Sequence, residues 1–211
     1  MTARSQPDVV RRARALLGRT ITGHGVTVRI TEVEAYGGSE DPASHAFTRT
    51  PRSEIMYGPA YRLYVYRSYG IHLCANVVTG PTEIGAAVLL RAGEVVDGHE
   101  LARFRRGEAP PKRDVNLARG PGNLAQALGI TLDDLGTDLL AEHPPAERHT
   151  GVRLGPEPAR WPRIASGPRV GVSKAADVPW RFWIEGDPTV SAYRRSPRAP
   201  APGTTLPARE H

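Results

Sequence analysis

A chain of 211 residues, 39% of them hydrophobic, is long enough for one substantial domain with its own core, and it has no apolar run that could cross a bilayer. The N-terminus lacks the apolar stretch of a secretory signal, so we expect a cytoplasmic protein without a membrane partner, nucleoid-associated if the source is bacterial. The single cysteine, Cys74, excludes an internal disulfide and a thiolate metal cluster, while the net charge of +6 favours a polyanionic partner.

The basic residues are almost all arginine, since Lys112 and Lys174 are the only lysines. A planar guanidinium group binds phosphate through two parallel hydrogen bonds, so this bias suits nucleic acid. The base composition of the gene could produce the same bias. The charge therefore indicates a class of partner and not an activity.

The N-terminal half is predicted to contain one helix and four strands. The helix runs from Asp8 to Leu17, where Gly18 can end it. In the first strand, alternate residues from Val26 to Tyr36 are expected to share one face. The next two strands flank a turn at residues 67–70 and so predict a β-hairpin. The four predicted strands cover residues 23–36, 63–66, 71–78 and 86–91.

The C-terminal half is predicted to be richer in helices and loops. Asp97 is expected to cap a helix that ends near Arg106, and Gly120 is expected to precede a second helix over 121–128. Thr131 and Asp134 match a capping box. The remaining predictions are a surface excursion over 144–168, strands over 169–172 and 180–184, and a disordered Pro-, Arg- and Ala-rich tail over 194–211. Together these elements predict a mixed α/β domain over residues 1–193, built around antiparallel strands.

The segment Thr31–Tyr36 places two carboxylates and a phenol (Glu32, Glu34 and Tyr36) on a face that begins apolar. Burying an unpaired carboxylate is costly, so at least one of these glutamates is expected to meet a partner or to line a wet cleft. The alternative is a strand that leaves the core with both glutamates in solvent. For an isolated Glu-x-Glu pair, that alternative is the more frequent outcome.

Tyrosines are concentrated in the predicted hairpin. Tyr64 and Tyr66 share one strand face, where a tyrosine often does no more than pack. Tyr69 lies at the turn, which offers less to pack against. An aromatic side chain on an exposed turn can wedge into a base stack, and a tyrosine in a cleft can stack on an extruded base.

Two polar residues, Asn76 and Arg91, interrupt apolar strand segments and so need partners if they are buried. The alternative for Arg91 is a strand end that faces water. Metal chemistry is weakly supported, because no Cys/His spacing and no His-Glu-x-x-His helix is present. A divalent-cation site remains open on composition alone, with the candidate ligands Glu32, Glu34, Asp41 and His45.

Taken in order, these segments resemble the alkyladenine (3-methyladenine) DNA glycosylase family, and the resemblance extends along nearly the whole globular part. It is carried by residues 31–36, 41–45, 50–52, 63–66 with Tyr69-Gly70, Asn76, 88–92, 120–121, 124–128, 169–172 and 181–182. The resemblance implies a single mixed α/β (α+β) domain with a curved antiparallel sheet and a β-hairpin surrounded by helices and loops.

The resemblance also implies a role for each matching residue. Glu34 would be the general base for the attacking water, which Arg91 and the main-chain carbonyl of Val170 would also hold. Tyr69 would intercalate where the flipped base has left the duplex, and Arg52 would contact a phosphate. The pocket for the flipped base would be formed by Tyr36, His45, Tyr66 and Asn76, with Asn76 excluding the amino group of a normal guanine.

The activity implied is hydrolytic excision of alkylated or deaminated purines from double-stranded DNA, with no cofactor and no metal. A glycosylase that also nicks the strand usually attacks through an amine. No lysine lies between Met1 and Arg91, so we expect water as the nucleophile and a monofunctional enzyme. A single DNA-binding face leads us to expect a monomer. Two other hypotheses stay open: a non-catalytic nucleic-acid-binding module, and a metal-dependent nuclease that uses Glu32, Glu34 and Asp41.

Overall fold

A long antiparallel sheet is the framework of the computed structural model, which describes residues 8–107, 109–141 and 151–203. The helices are α1 (Asp8–Leu16), α2 (His99–Arg105) and α3 (Pro121–Leu128). The strands are β1 (Thr20–Gly23), β2 (Val26–Tyr36), β3 (Leu63–Ser68), β4 (His72–Val78), β5 (Ala87–Asp97), β6 (Ala118–Arg119), β7 (Val152–Leu154), β8 (Ile164–Gly167) and β9 (Arg181–Ile184).

The two eleven-residue strands β2 and β5 pair with each other along most of their length. The sheet order is β3-β4-β5-β2-β1-β7, with β6 paired to β5 and the β8–β9 ribbon paired to β2. Every pairing between these strands is antiparallel and the sheet is curved. The prediction of a single mixed α/β domain with a curved antiparallel sheet is confirmed.

Helices α1 and α3 cover the sheet and close the main core. Helix α1 packs on β2, and α3 packs on β4 and β5. Leu17, Leu124 and Leu128 are fully buried in this core, and each such burial contributes roughly 1.5–3 kcal/mol. A smaller cluster that includes Met56 and Tyr64 packs separately from the main core.

Helix α3 has the ends that its sequence predicts. Pro121 occupies the first turn, where a missing N–H costs no hydrogen bond, and Gly129 adopts the left-handed conformation that ends the helix. The predicted capping box of Thr131 and Asp134 is also present, on a short 3₁₀ turn. The prediction for α2 is wrong at its start. Asp97 is the last residue of β5, and Gly98, with a φ of +76°, turns the chain into the helix.

An irregularity in β2 changes which side chains enter the core. Pairing with β5 is irregular between Ile30 and Val33. Val28 and Ile30 pack in the core before this point, and Val33 and Ala35 pack there after it. The prediction that alternate residues from Val26 to Tyr36 share one face is therefore wrong beyond Ile30, because such an irregularity breaks the period-two alternation.

Two further predictions in the C-terminal half are wrong. Residues 169–172 form a turn and not a strand, and the strand lies just before them, where β8 pairs with β9. The stretch 144–168 is not one surface excursion, since it contains β7 and β8, although 142–150 lie outside the described residues. Residues 194–203 contain no helix or strand, and the rest of the predicted tail is not described. Among the described residues, no helix is long and apolar enough to cross a membrane.

Candidate active site

The β3–β4 hairpin ends in a three-residue tip. Ser68 pairs with His72, so β3 is two residues longer than predicted, β4 begins one residue later than predicted, and the loop is Tyr69-Gly70-Ile71. Tyr69 has a φ of +49°, a conformation that bulky residues rarely adopt. Its side chain is 90% exposed and that of Ile71 is 71% exposed. The tip thus holds an aromatic and an aliphatic side chain out in solvent.

A cavity of about 380 Å³ lies beside the hairpin. This volume is within the range of small-molecule pockets. All nine residues to which the resemblance assigns a role line this one cavity: Glu34, Tyr36, His45, Arg52, Tyr66, Tyr69, Asn76, Arg91 and Val170. Lining residues that the sequence did not single out for the pocket include Ala43, Met56, Tyr64, Cys74, Leu89, Pro121 and Gly171.

Glu34 is fully buried and its carboxylate accepts hydrogen bonds on both oxygens. The Tyr36 hydroxyl donates to Oε2 over 2.8 Å, and the Val170 amide donates to Oε1 over 2.7 Å. Arg91 Nη1 lies 3.3 Å from Oε1. The donors compensate the buried negative charge, which would otherwise be costly in a protein interior.

The partners of Glu34 are held in the protonation states that make them donors. Burial and the charge of Glu34 raise the pKa of Tyr36 well above its ordinary value, so its hydroxyl keeps its proton. Burial alone would lower the pKa of Arg91, but the charges of Glu34 and Glu32 outweigh burial and raise it. Arg91 is also in the middle of β5 and buried, so the alternative of a strand end facing water is wrong.

Glu32, two residues before Glu34 on β2, is also fully buried. Its Oε1 accepts from Arg181 Nε over 2.6 Å and from Arg91 Nε over 3.1 Å. Its Oε2 accepts from the Ser191 amide over 2.7 Å. Neither glutamate faces solvent, which confirms that a carboxylate in this strand meets partners and excludes the surface alternative.

A second buried ion pair supports the turn that carries Val170. Arg169 is 1% exposed and binds the Asp41 carboxylate through both terminal nitrogens, with 2.9 Å from Nη2 to Oδ1. It also donates to the Ala35 carbonyl over 3.0 Å, and its guanidinium lies 4.8 Å from the Tyr36 ring centre. Sequence reasoning placed Arg169 and Asp41 in matching segments without pairing them. Nothing in the sequence showed that Arg169 is buried and so needs a carboxylate partner.

Aromatic side chains form one wall of the cavity. The ring centres of His45 and Tyr66 are 4.5 Å apart and nearly perpendicular, and those of Tyr64 and Tyr66 are 5.5 Å apart. His45 Nδ1 lies 3.1 Å from the Tyr64 hydroxyl. The guanidinium of Arg52 is 5.0 Å from the centre of the Tyr66 ring. Such a wall can bind a flat π system by stacking.

The wall is uncharged near neutral pH. Partial burial and the charge of Arg52 lower the pKa of His45 below its ordinary 6.5. Burial, with a smaller effect of the neighbouring Cys74, raises the pKa of Tyr66. Burial likewise raises the pKa of the Cys74 thiol. Asn76 is buried and donates from Nδ2 to the Tyr64 carbonyl over 3.1 Å, which meets its need for a partner and fixes its side chain.

The four residues named as possible cation ligands do not converge. Glu32 and Glu34 are bound by arginines, Asp41 pairs with Arg169, and His45 contacts Tyr64. Within residues 8–107, 109–141 and 151–203, no group of three or more His, Cys, Asp or Glu side chains could hold a metal ion.

A curved antiparallel sheet and a buried, donor-bound carboxylate that lines an aromatic cavity define a protein with a pocket for a flat ring. The chain belongs to the methylpurine-DNA glycosylase family, whose model matches residues 3–188. It is therefore a DNA glycosylase, a hydrolase of N-glycosyl bonds.

Three relatives match along nearly their whole length, and each of the three is named "Putative 3-methyladenine DNA glycosylase". One from Mycobacterium sp. (strain KMS) is 54% identical over 202 residues, which cover 93% of this chain and 94% of the relative. One from Nocardia farcinica is 55% identical over 201 residues, covering 91% and 90%. One from Mycobacterium tuberculosis (strain H37Rv) is 53% identical over 204 residues, covering 94% and 96%.

Proposed function

We propose that this glycosylase flips an alkylated or deaminated purine out of duplex DNA into the cavity and hydrolyses its N-glycosidic bond, leaving an abasic site. The observation that carries the proposal is the Glu34 carboxylate, fully buried at the cavity and bound by Tyr36, Arg91 and the Val170 amide. The damaged purines we expect are 3-methyladenine, 7-methylguanine, hypoxanthine and ethenoadenine.

Glu34 acts as the general base and as an electrostatic stabiliser. Cleavage of an N-glycosidic bond builds positive charge on the sugar, and a carboxylate beside that carbon stabilises this charge and takes a proton from the attacking water. Arg91 and the Val170 carbonyl would hold the same water. In the free protein it is the Val170 amide that contacts Glu34, so this turn supports the carboxylate from one side and would offer its carbonyl to the water.

The aromatic wall receives the purine. Tyr36, His45 and Tyr66 supply ring faces and edges around the cavity, and a cationic alkylated base gains further from stacking on such rings. Asn76 is fixed by its bond to the Tyr64 carbonyl, and its side chain would clash with the exocyclic amino group of a normal guanine. A base alkylated at N3 or N7 departs readily, so excision of these lesions needs little help from an acid.

The hairpin tip keeps the base out of the duplex. Flipping costs a few kcal/mol of lost stacking and pairing, and a side chain that fills the gap offsets part of that cost. Tyr69 is an exposed aromatic side chain that also lines the cavity, so it can fill the gap that the flipped base leaves. Arg52, exposed at the cavity mouth, would bind a phosphate next to the lesion.

Water is the nucleophile in this proposal. Of the residues that the structure describes, those lining the cavity include no lysine, so an amine attack that forms a Schiff base has no candidate there. We therefore expect a monofunctional glycosylase that works as a monomer, because the tip and the cavity form one DNA-binding face.

Product analysis on duplexes that carry one hypoxanthine or one 3-methyladenine tests the proposal. We expect release of the free base, strands that break only after alkaline treatment, full activity in a chelator and no covalent adduct after borohydride reduction. Direct strand breaks that a chelator abolishes would instead support the nuclease hypothesis. Binding without base release would support the non-catalytic module.

A further inference from the structure

We call the segment Thr189–Arg194 the strap. It contacts β2, the buried charges around Glu32 and the turn at Gly171. Its first residue, Thr189, is buried, and its hydroxyl lies 2.7 Å from that of Thr31 on β2. The Thr189 hydroxyl also donates to Asp187 over 2.6 Å, and Arg119 Nε donates to the Val190 carbonyl over 2.8 Å. The contact with Thr31 attaches the strap to β2 beside the irregular pairing at Glu32, and the contact with Arg119 attaches it to β6.

Ser191 connects the strap to the buried charges. Its amide donates to Glu32 Oε2, and its hydroxyl lies 3.0 Å from Glu32 Oε1 and 3.2 Å from Arg91 Nη2. Its carbonyl accepts from Arg181 Nη2 over 2.7 Å. One residue thus contacts both guanidinium groups and the carboxylate between them.

The geometry of Arg91 shows why these contacts matter. Its Nε is bound by Glu32 and its Nη2 by Ser191, which leaves Nη1 for Glu34 at 3.3 Å. A guanidinium is planar, so two fixed nitrogens set the direction of the third. The Glu32–Ser191 pair therefore determines where Arg91 points in the cavity.

Arg194, the last residue of the strap, contacts the turn whose Val170 amide binds Glu34. The Gly171 amide donates to the Arg194 carbonyl over 2.9 Å, and Gly171 has a φ of +72°. Its neighbour Val170 donates the other hydrogen bond to Glu34 Oε1. The strap consequently contacts Arg91 directly and the residue next to Val170, and both Arg91 and Val170 contact Glu34 Oε1.

We propose that the strap is a positioning element for excision, in which Ser191 and Glu32 direct Arg91 to Glu34 while the Arg194 carbonyl fixes the Val170–Gly171 turn. This inference rests on the proposed role of Glu34. The family match ends at residue 188, so the match itself does not assign the strap. Glu32 and Ser191 are positioning residues, because their contacts run to Arg91 and not to the substrate cavity.

The test is single-turnover excision at saturating full-length enzyme, with binding to an uncleavable abasic-site duplex measured in parallel. Ser191→Ala removes the hydroxyl contacts with Glu32 and Arg91. We expect the maximal rate to fall by about 10- to 100-fold, the effect of losing a hydrogen bond to a charged group. DNA affinity should change little, and the protein should stay folded because the Ser191 backbone keeps its hydrogen bonds with Glu32 and Arg181. Ser191→Thr retains the hydroxyl and should keep the rate within a few-fold of the unaltered protein.

Ser196→Ala is the matched control, because the Ser196 hydroxyl contacts only the nearby Arg198 amide among the described residues. Its rate should equal that of the unaltered protein. The strap proposal is overturned if Ser191→Ala excises at the normal rate, if Ser191→Thr does not restore the rate, or if rate and DNA affinity fall together with stability. Glu34→Gln is measured in the same assay to distinguish the strap proposal from the proposed function, because activity in that variant would overturn the proposed function itself.

Discussion

The buried pair of Arg169 and Asp41 gives the sharpest prediction about stability. We consider Arg169→Met, which preserves much of the side-chain length and removes the charge. The change leaves the Asp41 carboxylate buried with backbone donors from Gly37 and Ala43 and with no cation. It also removes the donor to the Ala35 carbonyl.

The magnitude follows from the burial of both partners. Arg169 is 1% exposed and Asp41 is 3% exposed, so solvent does not screen the charge that remains. Removing one member of a buried pair costs about 3–5 kcal/mol. A domain of this size has a free energy of unfolding of roughly 5–15 kcal/mol, so the loss should be a large fraction of the total.

Urea unfolding measures this loss, provided that the denaturant slope stays constant between variants. Asp41→Asn should also destabilise, and the double variant should be less destabilised than the sum of the single changes by at least about 2 kcal/mol. Arg160→Met, at an exposed position, is the control and should change stability by less than about 0.5 kcal/mol. Additive single effects, or a loss below about 1 kcal/mol in Arg169→Met, would show that the Arg169–Asp41 pair does not stabilise the fold in this way.

Three further outcomes are expected. Tyr69→Ala should leave the free energy of unfolding within about 0.5 kcal/mol and slow base flipping, followed by a fluorescent base next to the lesion, by about tenfold or more. Asn76→Ala should raise the excision of normal guanine relative to hypoxanthine in competing duplexes. The lowered pKa of His45 means that the folded protein binds this proton less readily than the unfolded chain, so stability should fall as pH drops below about 6.5, and His45→Gln should flatten that dependence.

The sequence predicted the elements whose signals are local. The ends of α3 depend on Pro121 and Gly129, and the hairpin depends on apolar runs on either side of Tyr69-Gly70. The gathering of all nine site residues in one cavity could not come from spacing alone, since Glu34 and Val170 are 136 residues apart. The family resemblance, and not the spacing, predicted that these distant residues lie together.

What the sequence did not predict depends on long-range contacts. The irregular pairing near Glu32 arises between strands about 60 residues apart, and β-strand patterns assume regular alternation. Arg169, Arg181 and Ser191 are of residue types that usually lie on the surface, so nothing local marks them as buried partners of carboxylates. The predicted strand over 169–172 failed for the same reason, because the contacts of Arg169 and Val170 with Asp41 and Glu34 hold the segment as a turn.

The most direct test of Glu34 as the general base is the single-turnover excision rate of Glu34→Gln on a hypoxanthine duplex, with Glu185→Gln as the exposed control. We expect the rate to fall by at least about a thousandfold, equivalent to roughly 4 kcal/mol of transition-state stabilisation, with affinity for damaged duplex retained and the control unaffected. Excision by Glu34→Gln at a rate near that of the unaltered protein would contradict the role of Glu34 as the general base.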